Sequence, residues 1–341
     1  GRVEHLYQYQ DVVNYLAGRH SLKLGADIRR FKLFGRFGTN SKGTWSYGTF
    51  ADFLNNTPAT LQQAVNEATF NTNQWNNAFF VQDDLKATKD LTLNLGVRYE
   101  YSSIPSGFFG ATDPAVKAAG VPGPPNSDKN NWAPRIGFGY SPSNPTGLFE
   151  RLLGPGKTSF RGGFGMGYDV LFYNILVSAA NNYPRVVTQT TVPAANAFPA
   201  LTPKTATVPP LNPITTAFTN VPEDIQNPTT HFWSLSLQRA LGSSYVLELG
   251  YTGNRSYHQI RQRQANPGIL TAAQASTVIA AGNPNSVSVQ RVNPNWGSRN
   301  LFETTAKAEY HAAYLKFDKR FSKGLLICGN YTCSANFSNH D

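Results

Sequence analysis

From Leu91 to Tyr101 the sequence alternates without a break. Leu91, Leu93, Leu95, Val97, Tyr99 and Tyr101 fall on one side, and Thr92, Asn94, Gly96, Arg98 and Glu100 on the other. Successive strand residues point to opposite faces, so this pattern fits a strand with one oily and one wet face and fits no helix. In residues 159–170, Phe160, Phe164, Met166, Tyr168 and Val170 alternate with Ser159, Arg161, Gly163, Gly165, Gly167 and Asp169. Weaker versions run through 3–15, 22–28, 79–87, 135–140, 233–241, 245–252, 313–321 and 325–335, giving about ten strands.

Alternation alone would also suit a soluble sandwich. The connections discriminate. Tight turns at 17–20, 87–90, 242–244 and 322–324 alternate with long segments at about 36–74, 102–131, 171–230 and 256–308. Compact domains rarely hold several loops beyond about 12–15 residues. Outer-membrane barrels do so by rule, with short periplasmic turns and long extracellular loops. The connection 141–157 falls on the turn side yet is longer than the others. The pattern predicts an all-β chain, a segment of an antiparallel up-and-down transmembrane β-barrel with long extracellular loops.

Composition agrees. Aromatics make up 13% of the 341 residues and charged residues only 15%, a bias toward strands and turns. No stretch approaches the roughly 20 apolar residues of a spanning helix, while a barrel strand needs about 9–11 with only alternate residues facing lipid. The negative mean hydropathy therefore does not argue against a membrane. Two short helices are expected as loop decoration, one with Thr57 as N-cap and Pro58 in its first turn, one with Thr271 and Gln274 as a capping box. Cys328 and Cys333 lie on opposite faces of one strand, roughly 16 Å apart, beyond the ~7 Å limit for a disulfide.

The hairpin Phe79-Phe80-Val81-Gln82-Asp83-Asp84-Leu85-Lys86 leading to Leu91-Thr92-Leu93-Asn94-Leu95-Gly96-Val97-Arg98-Tyr99-Glu100 resembles a recurrent hairpin of the TonB-dependent receptors, in particular their Oar-like barrel group. Asn131-Trp132-Ala133-Pro134-Arg135-Ile136-Gly137-Phe138 is similar to another of its signatures, as are Gly156-Lys157-Thr158 before Arg161-Gly162-Gly163-Phe164-Gly165 and Tyr310-His311-Ala312 through Lys319-Arg320-Phe321-Ser322-Lys323-Gly324. Leu85 and Cys333 stand where the family usually has tryptophan. The resemblance implies a barrel of roughly 22 strands, an N-terminal plug and a TonB box. Neither plug nor box is found in 1–341, nor is a terminal aromatic of a closing strand. The expectation is a partial barrel domain over 1–341, without plug or closing strand.

The function implied is active uptake across the cell outer membrane of a siderophore, oligosaccharide or peptide, with energy supplied through the TonB complex by way of the plug. A passive porin or structural outer-membrane protein is the alternative, and a secreted glycan-binding sandwich a more distant one. Asn94, Arg98, Glu100 and Arg161 are expected to line the lumen, and Trp75, Trp132 and Trp233 to form an interfacial aromatic girdle. Arg255, Arg261, Arg263, Arg291 and Arg299 lie in or beside one long loop with no acid between Glu248 and Glu303. They are candidates for contact with lipopolysaccharide phosphates or an anionic solute. The net charge of +10 is distributed as that cluster rather than as a nucleic-acid surface.

Other chemistry finds little support. Gly154-Pro155-Gly156-Lys157-Thr158 imitates a phosphate-binding loop, but the first glycine would have to stand at Arg151, and a strand follows instead of a helix. Gly163, Gly165 and Gly167 alternate within a strand, so they are expected to leave room on the lumen face or permit a bend. His5, His20, His231, His258, His311 and His340 show no metal-ligand spacing with one another or with the cysteines. No cofactor or enzymatic activity is expected. Asp83 falls on the apolar face, where the sequence alone offers no partner for it.

Overall fold

The computed structural model describes residues 2–36, 40, 42–65, 69–107, 109, 114–147, 150, 153–201, 208–282, 289–322 and 324–339. Arg151, Lys323 and His340 lie outside the described residues. Ten long strands follow one another: β1 (Arg2–Ala17), β2 (His20–Arg36), β3 (Thr69–Lys86), β4 (Leu91–Ser102), β5 (Trp132–Tyr140), β6 (Thr158–Tyr168), β7 (Thr229–Leu241), β8 (Tyr245–Gln264), β9 (Arg299–Ser322) and β10 (Leu325–Ser338). Each pairs antiparallel with the next. Among the described residues β1 has only β2 as neighbour and β10 only β9, so the sheet is open at both edges.

The register keeps the alternation intact across the whole sheet. Leu85, Leu93, Phe138, Gly162, Leu235, Tyr251, Ala313 and Cys333 form one cross-strand row. The neighbouring row on the opposite face reads Asp84, Asn94, Gly137, Gly163, Ser234, Thr252, Ala312 and Ser334. On the first face Ile136 is 57% exposed, Leu235 55% and Leu249 50%. Water would penalise so much contiguous apolar surface, whereas hydrocarbon is its natural solvent.

The turn end is closed by residues 18–19, 87–90 and 242–244, together with 141–157, whose Ser141 amide donates to the Asp90 carbonyl at 2.8 Å. The long connections 37–68, 103–131, 169–228 and 265–298 all leave from the other end. They are folded. Strands Thr44–Ser46, Thr60–Ala64 and Thr188–Thr191 make a small sheet from two different connections, and Phe218–Asn220 runs parallel beside Arg299–Leu301. Helices α1 (Phe50–Leu54), α2 (Pro114–Ala118), α3 (Tyr173–Ala180) and α4 (Ala272–Ala281) complete this cap. Leu33 and Phe70 of the strands pack on Leu176 and Ala180 of α3, and fully burying a residue such as Phe70 contributes about 1.5–3 kcal/mol.

Several expectations need correction. Thr57 caps no helix: α1 lies earlier, with Thr49 as N-cap accepting from the Asp52 amide, and residues 60–64 are strand. The capping box of Thr271 and Gln274 is present, and the helix ends at Gly282 in the left-handed region. Strands β3, β8 and β9 extend well beyond their alternating cores into the supposed loops, because cross-strand pairing continues where the oily alternation has stopped. Consequently Trp75 and Trp233 lie inside strands and only Trp132 begins one. Likewise Arg255, Arg261, Arg263 and Arg299 stand on strands, and the connecting segment shrinks to 265–298.

Candidate functional site

Asn94, Arg98, Glu100 and Arg161 all share the polar face of β2 to β7, as their pairing rows require. Arg98 forms an ion pair with Glu100. The Asn94 amide donates to Asp84 at 2.6 Å, and Gln82 donates to the same oxygen at 3.1 Å. Arg161 stands between Gly139 and Ser236. Above it, a depression of about 440 Å³ crosses β4, β5 and β6, edged by Phe80 and Phe232 and bearing Lys23, Arg98 and Arg135. A smaller one of about 180 Å³ lies toward the cap, and Arg98 lines both.

The glycines of β6 do more than leave space. A Cβ at Gly165 would sit 2.5 Å from the Phe232 ring, which lies directly across from it, while one at Gly163 would come within 3.3 Å of the Ile136 carbonyl. Trp75, Trp132 and Trp233 are all on the apolar face. Trp132 packs on Tyr99 at 4.7 Å between centroids, Arg30 lies 5.2 Å from the Trp75 ring, and Trp233 covers Gly253. Asp83, unexplained by sequence, receives His20 Nδ1 at 2.6 Å near the turn end of that face. Both cysteines are free thiols.

The five arginines do not form one cluster. Arg255, Arg261 and Arg263 lie on the extension of the apolar register, opposite acids contributed by β9: Arg255 pairs with Glu309 at 2.7 Å, and Arg261 and Arg263 converge on Glu303 at 2.7 and 3.2 Å. Arg291 donates to the Asn266 carbonyl at 2.7 Å. Arg299 is 3% exposed, stacked between Trp296 and Phe218 at 4.2 and 4.9 Å, and donates to the Ala119 carbonyl. It is a buried pin of the cap and has no surface for lipopolysaccharide. Sequence reasoning missed Glu303 and Glu309 as partners because they are far along the chain; only an extended ladder brings them opposite.

In the cap, Arg185 stacks on Phe70 at 4.0 Å and donates to the Thr69 and Gly107 carbonyls; burial lowers its pKa from the ordinary guanidinium value. Among the described residues no three His, Cys, Asp or Glu side chains converge as metal ligands would.

The full chain, residues 1–341, matches the family model described as outer membrane beta barrel domain. The chain belongs to that family. As an outer-membrane barrel domain, it crosses the outer membrane with the apolar face toward lipid, its turns periplasmic and its cap extracellular. Among solved structures it is similar to the outer membrane transporter YddB from Escherichia coli, at 12% identity and TM-score 0.56, covering 98% of this chain and 34% of that one. The ferric enterobactin receptor PfeA from Pseudomonas aeruginosa, solved as a mutant, gives 11%, 0.52, 97% and 35%, respectively. The FrpB iron transporter from Neisseria meningitidis, F5-1 variant in apoprotein form, gives 11%, 0.50, 98% and 37%. At these identities the likeness speaks for the fold alone. The barrel domain spans about a third of the length of these structures. No curated protein matches the sequence.

Proposed function

We propose that this barrel domain is part of the wall of a transporter that takes up a solute through the outer membrane, energised through TonB. In this reading 1–341 supplies ten strands of the barrel, and the plug and the closing strand belong to other parts of the protein. The carrying observation is the combination of a polar, arginine-bearing inner wall with a folded extracellular cap built from four long connections. A cap with its own core can present a defined binding surface at the mouth. Siderophores come first among candidate cargoes in this reading; it is supported by the names of two similar structures, a ferric enterobactin receptor and an iron transporter. Bond-making chemistry has no part in the proposal.

The test is uptake by cells of the native host. Labelled ferric siderophores, oligosaccharides and peptides are offered to the parent strain, to a strain deleted for the full gene, and to one lacking TonB. One cargo class should be lost in both deletions. Uptake lost with the gene but retained without TonB would make the protein a passive pore instead.

The outward ladder of Arg255, Arg261 and Arg263 sits beyond the apolar band, at the level of lipopolysaccharide phosphates. There two guanidiniums share the one carboxylate of Glu303, leaving an excess of positive charge for phosphate. Lipopolysaccharide retained by the purified protein should fall when all three become Gln, and unchanged retention would remove this contact.

A further inference from the structure

We infer that the outward face of β1, β2 and β3, where it emerges from the oily band, seats a phosphate of the outer-leaflet glycolipid, lipopolysaccharide, between Arg30 and Lys32. The inference needs the outer-membrane orientation of the sheet and is independent of the transporter reading.

On these strands the oily outward positions end at Ile28 and Phe79. Beyond them, toward the cap, the outward residues include Tyr7 of β1, Arg30 and Lys32 of β2, and Asn73, Trp75 and Asn77 of β3. The register sets Arg30 between Tyr7 and Trp75, and Lys32 between His5 and Asn73. Arg30 lies 5.2 Å from the centre of the Trp75 ring and Lys32 5.7 Å from that of Tyr7. The ring faces thus hold both cations at the level where aromatic side chains mark the boundary between hydrocarbon and headgroups.

What these cations lack is an acid. No Asp or Glu occupies an outward position of β1 from 3 to 9, of β2 from 28 to 36 or of β3 from 69 to 77. Neither Arg30 nor Lys32 has an ion-pair partner among the described residues, and the buried Arg30 Nε finds no acceptor there. The ladder of Arg255, Arg261 and Arg263 differs in this respect, since Glu303 and Glu309 answer it. Two uncompensated cations beside hydrocarbon call for a counter-charge from outside the chain. Residues two apart on a strand stand about 7 Å from each other on one face, so a guanidinium and an ammonium on long stems can close on one phosphate.

Nothing else competes for this face. The cap packs on the opposite side of these strands, on Leu33 and Phe70. A plug would lie on that inward side as well, and a strand joining the edge of β1 lengthens the sheet in its own plane. The outward side meets the membrane.

The test uses the full-length protein, purified and delipidated in detergent, with heat-modifiable gel mobility confirming that each variant is folded. The Arg255→Gln/Arg261→Gln/Arg263→Gln variant is the background, so that the ladder adds nothing to the signal. Native mass spectrometry counts the lipid A, the membrane-embedded part of lipopolysaccharide, that is bound as its concentration rises. One lipid A should bind saturably in this background. Adding Arg30→Gln and Lys32→Gln should weaken it at least about tenfold, as expected for two charge-assisted contacts. Lys86→Gln with Lys89→Gln, the same loss of charge at the periplasmic end of β3, should leave it unchanged. Lipid A stripped of its phosphates should bind at least about tenfold more weakly, and excess inorganic phosphate should not displace the intact lipid. In the parent, Arg30→Gln with Lys32→Gln should remove one bound lipid, which keeps the test open if the background variant misfolds. No saturable binding, full affinity without Arg30 and Lys32, or equal binding of the dephosphorylated lipid would each overturn the inference. Displacement by inorganic phosphate would make the pair a site for the free anion and overturn the lipid as its occupant.

Discussion

Five times an aromatic ring lies over a glycine directly across the ladder: Phe80 on Gly25, Phe138 on Gly162, Phe232 on Gly165, Tyr314 on Gly250 and Trp233 on Gly253. The missing side chain gives the ring a surface to cover, so the glycine costs less packing than its composition implies. At Gly250 a Cβ would fall 2.1 Å from Tyr314 Cζ and push away a hydroxyl that donates to Glu248 at 2.8 Å. Gly250→Ala should therefore destabilise the refolded full-length protein by about 1–3 kcal/mol, the usual cost of overpacking. Gly139→Ala on the same face meets nothing within 4 Å and serves as the control. Denaturant midpoints check both, and equal midpoints would show that the ring moves freely. Ring and glycine are each visible in the sequence, but their pairing depends on register and is not.

Among elements, the strands were legible and the cap was not. An apolar face toward lipid forces strict alternation, so Leu91–Ser102 ends within a residue of its expected limit. The extensions of β8 and β9 carry polar and charged residues on both faces, with a register shift where His258 takes φ of 54°, and only their hydrogen-bonded pairing marks them as strand. In α1, the Thr49 hydroxyl hydrogen-bonds the Asp52 carboxylate at 2.7 Å and holds its pKa below the ordinary aspartate value; desolvation opposes this, and the Thr49 backbone and Thr57 assist it. A lowered folded-state pKa means that the contribution is present above the unfolded value and lost as pH falls through the folded one. The protection of the amides in residues 50–54, their exchange taken relative to the intrinsic rate, should therefore fall on acidification below the ordinary aspartate pKa, and Thr49→Ala should move that onset to higher pH. An onset unchanged in Thr49→Ala would assign the ordering of this turn to other contacts.

For the molecule as a whole, the decisive property is that a sheet with one oily and one polar face is open, among the described residues, at β1 and β10. Each edge offers a row of unpaired amides and carbonyls that hydrocarbon cannot satisfy. Residues 1–341 expressed alone should therefore aggregate in detergent, whereas the full-length protein should give a heat-modifiable monomer. A stable, monomeric, heat-modifiable species from 1–341 would show that these strands can close by themselves.

The sequence by itself determined the membrane class, the number of crossings, which end carries the loops, and which face of each strand meets lipid, because all four follow from period-two alternation and connection length. It also placed Asn94, Arg98, Glu100 and Arg161 on the polar face. Tertiary structure decided what those faces do. Glu303 reaching Arg261 and Arg263, the burial of Arg299 between Trp296 and Phe218, and the meeting of Lys23, Arg98 and Arg135 around one depression join residues distant in the chain. Such contacts are fixed by register between strands, and no local pattern encodes which residue will stand opposite another.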